Sequence, residues 1–406
     1  MKIFYLAHRV PYPADKGEKI RTFHQINYLV EQGHQLTVFA PVEDAAEVVF
    51  ANDLQAKLGV NVVTAPLGSA LWRKLSAVLT GQPVSQTHFF CPALLALLQQ
   101  QLQTEQPAAV VCTSSAMAVY VQRAGLVSST KRPCTLLMDF MDLDSDKWQQ
   151  YAANSRGLMR WVYQREARLV AKAELQIYQQ FDHCFFISDN EVQLFAKQLA
   201  DASKVSVLAN GLDTKTFFPA STPARPQAPV FLFTGVMNYK PNEDAVLWFV
   251  QSMWQQVLAK YPGARFIIAG MQPSSRILQL GKVPGIEVTG YVDDILPYYH
   301  QASIFIAPFR LARGVQNKIL QAMACGLPVI TTPLGAEGIA CKPGEHLLTA
   351  TTEADFIACI EQLLDSPRLQ LALQTNGPEL IRQHYSWDGV LQNLPALLQQ
   401  RQEASA

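Results

Sequence analysis

The sequence predicts an α/β protein built from two consecutive doubly wound parallel sheets. Three observations carry that expectation. Short apolar β-rich runs alternate with helical stretches along the chain, and the pattern of strand, glycine turn, helix and strand opens twice, at residue 2 and again at residue 230. The third is length: 406 residues exceed what one hydrophobic core usually supports.

Composition narrows the class. Hydrophobic residues make up 49% and charged residues 16%, which describes a globular chain with large buried sheets rather than a disordered one. Lys+Arg and Asp+Glu balance at 33 each, so a strongly cationic surface for nucleic acid is not supported. The seven cysteines are scattered and never in C-x-x-C spacing, which predicts a reducing cytosol and no structural zinc. Lys2-Ile3-Phe4-Tyr5-Leu6 is too short for a signal segment and reads as a strand, and no apolar run approaches the ~18 residues of a membrane span. A soluble or peripheral cytoplasmic protein is expected.

In order, residues 2–7 read as the first strand, 11–19 as a loop, about 20–32 as an amphipathic helix ended by Gly33, and 35–40 as the second strand. Within the loop Gly17 is a permissive turn residue surrounded by Lys16, Lys19 and Arg21. His8 closes the first strand, where it either touches a ligand or serves the fold. Residues 60–65 form a third strand. Residues 70–79 are apolar on one face around Trp72, with Arg73 and Lys74 beside it: either an element for an anionic membrane surface or a helix packed on the sheet. A helix over 92–103 and buried strands at 108–112 and 134–138 follow.

Four closely spaced carboxylates, Asp139, Asp142, Asp144 and Asp146, come next at a strand's carboxyl end, where open α/β sheets place functional groups. They lack the glycine turn of a hard-cation loop. Asp139 and Asp142 either act chemically or cap the next helix. A long charged helix over 156–181, a strand at 184–187, a helix capped by Ser188 and a strand at 204–208 complete the first domain near residue 210. Residues 220–229, rich in Pro, Ala, Ser and Thr, fit a linker.

Residues 230–234 restart the pattern, with Gly235, a loop carrying Lys240, and a helix over 243–260. Strands at 265–269 and 286–290 follow, the latter leading into Tyr291. The most informative stretch is 303–330: a strand over 303–307, the turn Arg313-Gly314, a helix with Ile319, Leu320 and Met323 at helical spacing, and a stop at Gly326 and Pro328. The first amides of such a helix have no intrahelical partners and its dipole is positive there, so an anion can dock. Arg310, Arg313 and Lys318 add cations, and the implied ligand is a phosphate or diphosphate, as on a nucleotide; the alternative is one more crossover with solvated basic residues. A glycine-rich turn with Glu337 and helices at 353–365, 367–384 and 386–401 finish the chain.

The arrangement Arg310-x-x-Arg313-Gly314-x-Gln316-Asn317-Lys318 followed by Gln321-Ala322-Met323-Ala324-Cys325-Gly326-x-Pro328-Val329 resembles the donor-site signature of the family-four retaining glycosyltransferases of the GT-B fold. More closely, it is similar to the sugar transferases found with exosortase (PEP-CTERM) exopolysaccharide systems. The resemblance implies two Rossmann-like domains facing across a cleft: 1–210 on the acceptor side, 211–384 on the nucleotide-sugar side, and a helix in 385–406 crossing back to the first domain. It places Gly17, Lys240, Arg310, Arg313, Gly314 and Lys318 on the donor diphosphate. Gly235, Tyr291, Asn317, Gln321 and Glu337 go to the nucleotide and sugar, and Asp139, Asp142 and His8 to the reacting hydroxyl.

The same resemblance implies a nucleotide-sugar donor and a saccharide or lipid-linked acceptor; peripheral membrane contact from the cytoplasmic side is the expectation if the 70–79 segment lies on a membrane, and the charge balance argues for no nucleic acid. No metal or other cofactor is expected, because Lys and Arg supply the countercharge. This chain departs from the family at three points: the paired glutamates eight positions apart fall at Arg313 and Gln321, and an arginine usual after the glycine falls at Val236. Three activities fit: glycosyl transfer in exopolysaccharide or lipid-linked oligosaccharide synthesis, inert binding of a sugar nucleotide, and sugar-nucleotide epimerisation.

Overall fold

The computed structural model describes residues 1–69, 73, 81–127, 134–221, 227–312 and 314–403, with side chains to residue 399. Arg313, most of the 70–79 segment including Trp72 and Lys74, and the middle of the expected linker lie outside the described residues. The chain divides into two compact units, Met1–Asn210 with Val390–Ala406, and Gly211–Gly389. No helix among the described residues is long and apolar enough to cross a membrane.

The first unit is built on a parallel sheet of β1 (Lys2–Leu6), β2 (Gln35–Val42), β3 (Asn61–Pro66), β4 (Ala109–Thr113), β5 (Thr135–Met141), β6 (His183–Phe186) and β7 (Val205–Val207), in the order β3-β2-β1-β4-β5-β6-β7. Parallel sheets are covered on both faces, so their strands are continuously apolar rather than alternating. Ile3, Phe4, Tyr5 and Leu6 are all buried, as are Val110, Val111 and Cys112 on the neighbouring strand. The helix Ala45–Leu58, capped by Asp44, was not anticipated. The last helix, expected over 386–401, is two pieces, Trp387–Leu391 and Leu394–Glu403; the second belongs to this unit and packs on β5, with Leu394 and Leu398 buried.

Two differences from the expected boundaries matter for function. The helix Gly17–Glu31 takes in residues expected to be loop, and Gly17 is its first residue rather than a turn with positive φ; nothing lies within 4 Å of where its Cβ would be. Strand β5 runs past its expected end because Asp139 pairs with Thr113 on β4 and Phe185 on β6. Asp139 is therefore inside the sheet.

It is also fully engaged. Arg21 donates to Asp139 Oδ2 through Nε at 2.7 Å and to Oδ1 through Nη2 at 2.9 Å. Gln25 Nε2 donates to Oδ2 at 2.6 Å and the Met141 amide to Oδ1 at 3.1 Å. Arg21 further reaches Asn210 Oδ1 at 3.1 Å, and Tyr5 donates to Gln25 Oε1 at 2.6 Å. Arg21 and Asp139 are each 1% exposed. A buried pair survives when its charges and lone pairs are matched this closely, and it binds the first helix to the middle of the sheet.

The second unit carries β8 (Val230–Thr234), β9 (Arg265–Ala269), β10 (Ile286–Gly290), β11 (Ile304–Ala307), β12 (Val329–Thr331) and β13 (Leu348–Thr349), in the order β10-β9-β8-β11-β12-β13. Counted from β8 this is the 3-2-1-4-5-6 order of a nucleotide-binding doubly wound sheet, whose direction of winding reverses between β8 and β11. The expected helix 243–260 is two, Lys240–Ser252 and Trp254–Lys260, broken at Met253. Met253 and Trp254 are both wholly buried and the indole donates to the Pro284 carbonyl at 2.9 Å. Packing of that ring into the core sets the break where helical periodicity alone runs through.

Asp139→Ala should lower the stability of the chain to urea by about 3–5 kcal/mol, because it strands the Arg21 charge in the interior. Asp142→Ala, at an exposed position, should change it by less than about 0.5 kcal/mol; equal effects would contradict the assignment.

Candidate functional site

In the second unit the carboxyl ends of β8 and β9 and the helix Asn317–Ala324 enclose a cavity of 770 Å³ at the reversal point of the sheet. Two glycines shape its floor. Gly270 has φ +147°, and a Cβ there would fall 1.8 Å from the Gly235 carbonyl oxygen; Gly235 has φ +152°, and a Cβ there would fall 2.7 Å from Lys318 Nζ and 2.7 Å from Asn242 Nδ2. Side chains at either position would push the backbone turns apart or expel the lysine. The two strand ends thus meet in bare backbone, open to close approach of a ligand.

Lys318 lies over this floor. Its ammonium is 2.5 Å from Asn242 Oδ1, and Asn242 is turned that way because its own Nδ2 donates to the Val236 carbonyl at 2.9 Å. The ammonium also stands 4.8 Å from the Phe233 ring and 5.3 Å from that of Phe309. These contacts favour the charged form, burial opposes it, and burial wins: the lysine pKa falls to about 7. Among the described residues no carboxylate pairs with Lys318. One neutral acceptor meets a group with three donors, and the helix it sits on has no side-chain cap.

A polar chain closes another side. Tyr299, 1% exposed, lies between Thr234 Oγ1 at 2.8 Å and Gln321 Oε1 at 3.0 Å. Burial pushes the phenol pKa up, so it stays protonated and donates to Gln321 while accepting from Thr234. Gln321 is left with its amide N–H groups to offer. Tyr239 and Tyr291, 60% and 67% exposed, stand at the rim together with Val292 and Ile295. They form an aromatic and aliphatic edge suited to a planar ring.

Of the residues singled out in the sequence, Gly235, Tyr291, Asn317, Lys318 and Gln321 line this cavity. Arg310 does not. Its guanidinium is held by Asp244 at 2.7 and 3.1 Å and lies over the Trp248 ring at 5.1 Å, and Asp244 raises its pKa further. The expected diphosphate role of Arg310 is corrected on that ground: its charge is already matched. Lys240, Gly314 and Glu337 sit at exposed positions outside the cavity lining, and Arg313 lies outside the described residues.

Gly17, His8, Asp139 and Asp142 all belong to the first unit. The expected role of Asp139 in deprotonating a hydroxyl is overturned, since both its oxygens are occupied by the buried Arg21 and Gln25. Asp142 is exposed and 4.0 Å from Lys147. His8 packs edge-on against Phe89, and burial, followed by the Arg9 charge, lowers its pKa to about 4. Asn242, Tyr239, Thr234 and Tyr299 were not singled out. Asn242 had a local signal, its place in the Lys-Pro-Asn start of a helix; buried Tyr299 had none, because its partners come from 65 and 22 residues away.

Residues 17–211 match the family described as glycosyl transferase 4-like domain, and residues 228–366 that described as glycosyl transferases group 1. The GDP-mannose-dependent monoacylated alpha-(1-6)-phosphatidylinositol monomannoside mannosyltransferase of Corynebacterium glutamicum is 24% identical over 53% of this chain and 61% of its own. The D-inositol 3-phosphate glycosyltransferase of Mycobacterium marinum is 25% identical over 57% and 53%. The chain spans about half the length of the curated relatives it matches. Among solved structures, HepE from Anabaena in complex with UDP superposes with a TM-score of 0.62 at 14% identity over 98% of this chain and 100% of that one, a likeness of fold. The protein thus carries two parallel-sheet Rossmann-like domains, the fold of the GT-B glycosyltransferases.

The Lys318 pKa dictates how stability varies with pH. Because it lies at about 7 in the folded chain against 10.5 ordinarily, the unfolded chain binds more protons between those values, and folding gains as pH rises. Lys318→Met should therefore exceed the wild type in stability most at pH 7 and below, and its advantage should shrink steadily toward pH 10.5 in urea titrations. A difference that does not vary with pH would contradict the burial argument.

Proposed function

We propose that this chain, whose two halves belong to the 4-like and group 1 glycosyltransferase families, transfers a sugar from a nucleoside-diphosphate sugar to a hydroxyl of a saccharide or lipid-linked acceptor, with retention of anomeric configuration, in exopolysaccharide assembly on the cytoplasmic side. The observation that supports this reading best is Lys318: a cation lowered onto a floor of two glycines with no carboxylate paired to it among the described residues.

In the reaction the bond from the anomeric carbon to the diphosphate oxygen breaks with its electron pair leaving on the diphosphate, the acceptor oxygen bonds to that carbon, and the acceptor's proton passes to the departing diphosphate or to water. Negative charge grows on the departing diphosphate, and groups already aimed at it lower the barrier. Lys318 takes up a proton as the anion enters and stays charged beside it, while the first amides of helix Asn317–Ala324 turn their dipoles the same way. Gln321, oriented by Tyr299, offers its amide to the ribose, and Tyr239 and Tyr291 flank the base. No metal is needed for this charge balance. His8, neutral at physiological pH, and Asp142 are the groups of the first unit left to meet the acceptor.

A second reading has its own support. With Arg310 claimed by Asp244 and Val236 where the resemblance implies an arginine, the cationic grip is thinner than that resemblance calls for, which suits a sugar-nucleotide binder without turnover.

The test is release of nucleoside diphosphate from a panel of sugar nucleotides with saccharide and lipid-linked acceptors. Lys318→Ala should lower kcat/KM by about 100-fold or more, whereas Arg310→Ala should leave it within a few-fold. Calorimetry at pH 8 in buffers of different ionisation enthalpy should show uptake of about one proton per donor bound, absent in Lys318→Ala. Binding without turnover, unrepaired by Gln321→Glu, would favour the second reading; neither binding nor release across the panel would overturn both.

A further inference from the structure

The helix Gly157–Gln180 of the first unit has an unusual outer face. Glu166, Ala167, Val170, Glu174, Ile177 and Tyr178 are buried and define its packed side. At 100° per residue, positions 158, 161, 165, 168 and 172 lie on the opposite side. A solvated helix carries polar residues there. This one opens with Leu158, 74% exposed, and Trp161, 60% exposed, with Met159 beside them at 48%. Tyr151, 45% exposed, adds a further ring from the adjoining helix Asp144–Ala153. Four large apolar side chains cluster at one end of a two-helix hairpin, facing water.

The charge around them has one sign. Residues 156–172 contain Arg156, Arg160, Arg165, Arg168 and Lys172 against a single carboxylate, Glu166, in a chain whose total charge balances. Glu166 is buried and already pairs with Arg165 at 2.6 Å. Among the described residues no ion pair involves Arg160, Arg168 or Lys172. Arg160 and Arg168 also line a groove of 330 Å³ between the two helices, with Gln149, Gln164 and the small side chains of Ala152 and Ala167. Two unmatched guanidinium groups over a shallow, small-walled groove match a phosphate, which each can hold through two N–H groups.

We infer that this end of the hairpin docks on an anionic phospholipid surface. Leu158, Met159 and Trp161 enter the boundary between headgroups and acyl chains, where an indole is at home, and Arg160 and Arg168 take lipid phosphates in the groove. Charge complementarity selects this occupant: an unpaired one-sign rim around an apolar tip meets its match in a dense layer of phosphates over hydrocarbon. The inference goes beyond the proposed transfer reaction and does not need it, since it is measured with no sugar nucleotide present.

The experiment is co-sedimentation of the full chain with phosphatidylcholine vesicles, with and without a quarter phosphatidylglycerol. The wild type should bind the anionic vesicles and lose affinity as salt rises. The double variant Leu158→Ser with Trp161→Ser should bind them about tenfold more weakly. Arg160→Gln with Arg168→Gln should lose about tenfold of the preference for anionic over neutral vesicles. Urea titrations identify any variant that fails to fold, and brominated lipids should quench the wild type more than Trp161→Phe, which keeps the ring's bulk. Nucleoside diphosphate release from a soluble donor should be unchanged in all of these, which separates this result from any failure of the transferase reading. Absence of wild-type binding to anionic vesicles, or binding by both double variants as tight as that of the wild type, would overturn the inference. So would self-association that the serine variant abolishes, which would assign the face to a second copy of the chain.

Discussion

The second unit turns on a partly buried ammonium group, Lys318, that pairs with no carboxylate among the described residues. A lysine in that position costs stability, and its pKa records the cost by falling to about 7. Nothing in the packing of the sheet requires it: Phe233 and Phe309 would fill their space as well against an aliphatic side chain. What the arrangement does provide is a site whose missing charge must come from outside. Gly235 and Gly270 keep the floor bare, Asn242 holds the ammonium at one corner, and the open end of a helix adds amides. A dianionic group entering there gains a partner that water does not screen, and the lysine recovers its proton.

The contrast with Asp139 sharpens the point. That carboxylate is placed deeper than Lys318, at 1% exposure, yet both oxygens meet Arg21, Gln25 and a backbone amide. A buried charge with every lone pair matched holds a fold together; one left unmatched waits for a ligand. By the same rule Arg310 passes from expected ligand to surface brace, since Asp244 and Trp248 already satisfy it. Matching distinguishes the three, whereas proximity in sequence to a recognisable motif does not.

Much of this was legible beforehand. Alternating strands and helices, with a restart at residue 230, yield both sheets, because βαβ units have short-range periodic signals. The motif around Lys318 pointed to its helix start, and Gly235 and Tyr291, read from other stretches, line the same cavity as Asn317, Lys318 and Gln321. Failures came where a tertiary partner decides. Asp139 looks like a strand-end carboxylate until flanking strands extend β5 through it and Arg21, 118 residues away, closes on it. The break at Met253 depends on a core pocket for Trp254, and Tyr299 on a glutamine and a threonine from other elements. Gly17 was misread because helix starts lacking a cap residue leave no local mark.

The function of this cavity turns on the charge state of the Lys318 side chain. Following the Lys318 Cε and Nζ resonances by NMR across pH 5 to 11, without ligand and with a saturating nucleoside diphosphate, reports it directly. The free protein should titrate near pH 7, and the complex should stay protonated to well above pH 9. A lysine that titrates at its ordinary value in the free protein, or one whose midpoint ignores the diphosphate, would contradict the claim that this site is built to receive an anion.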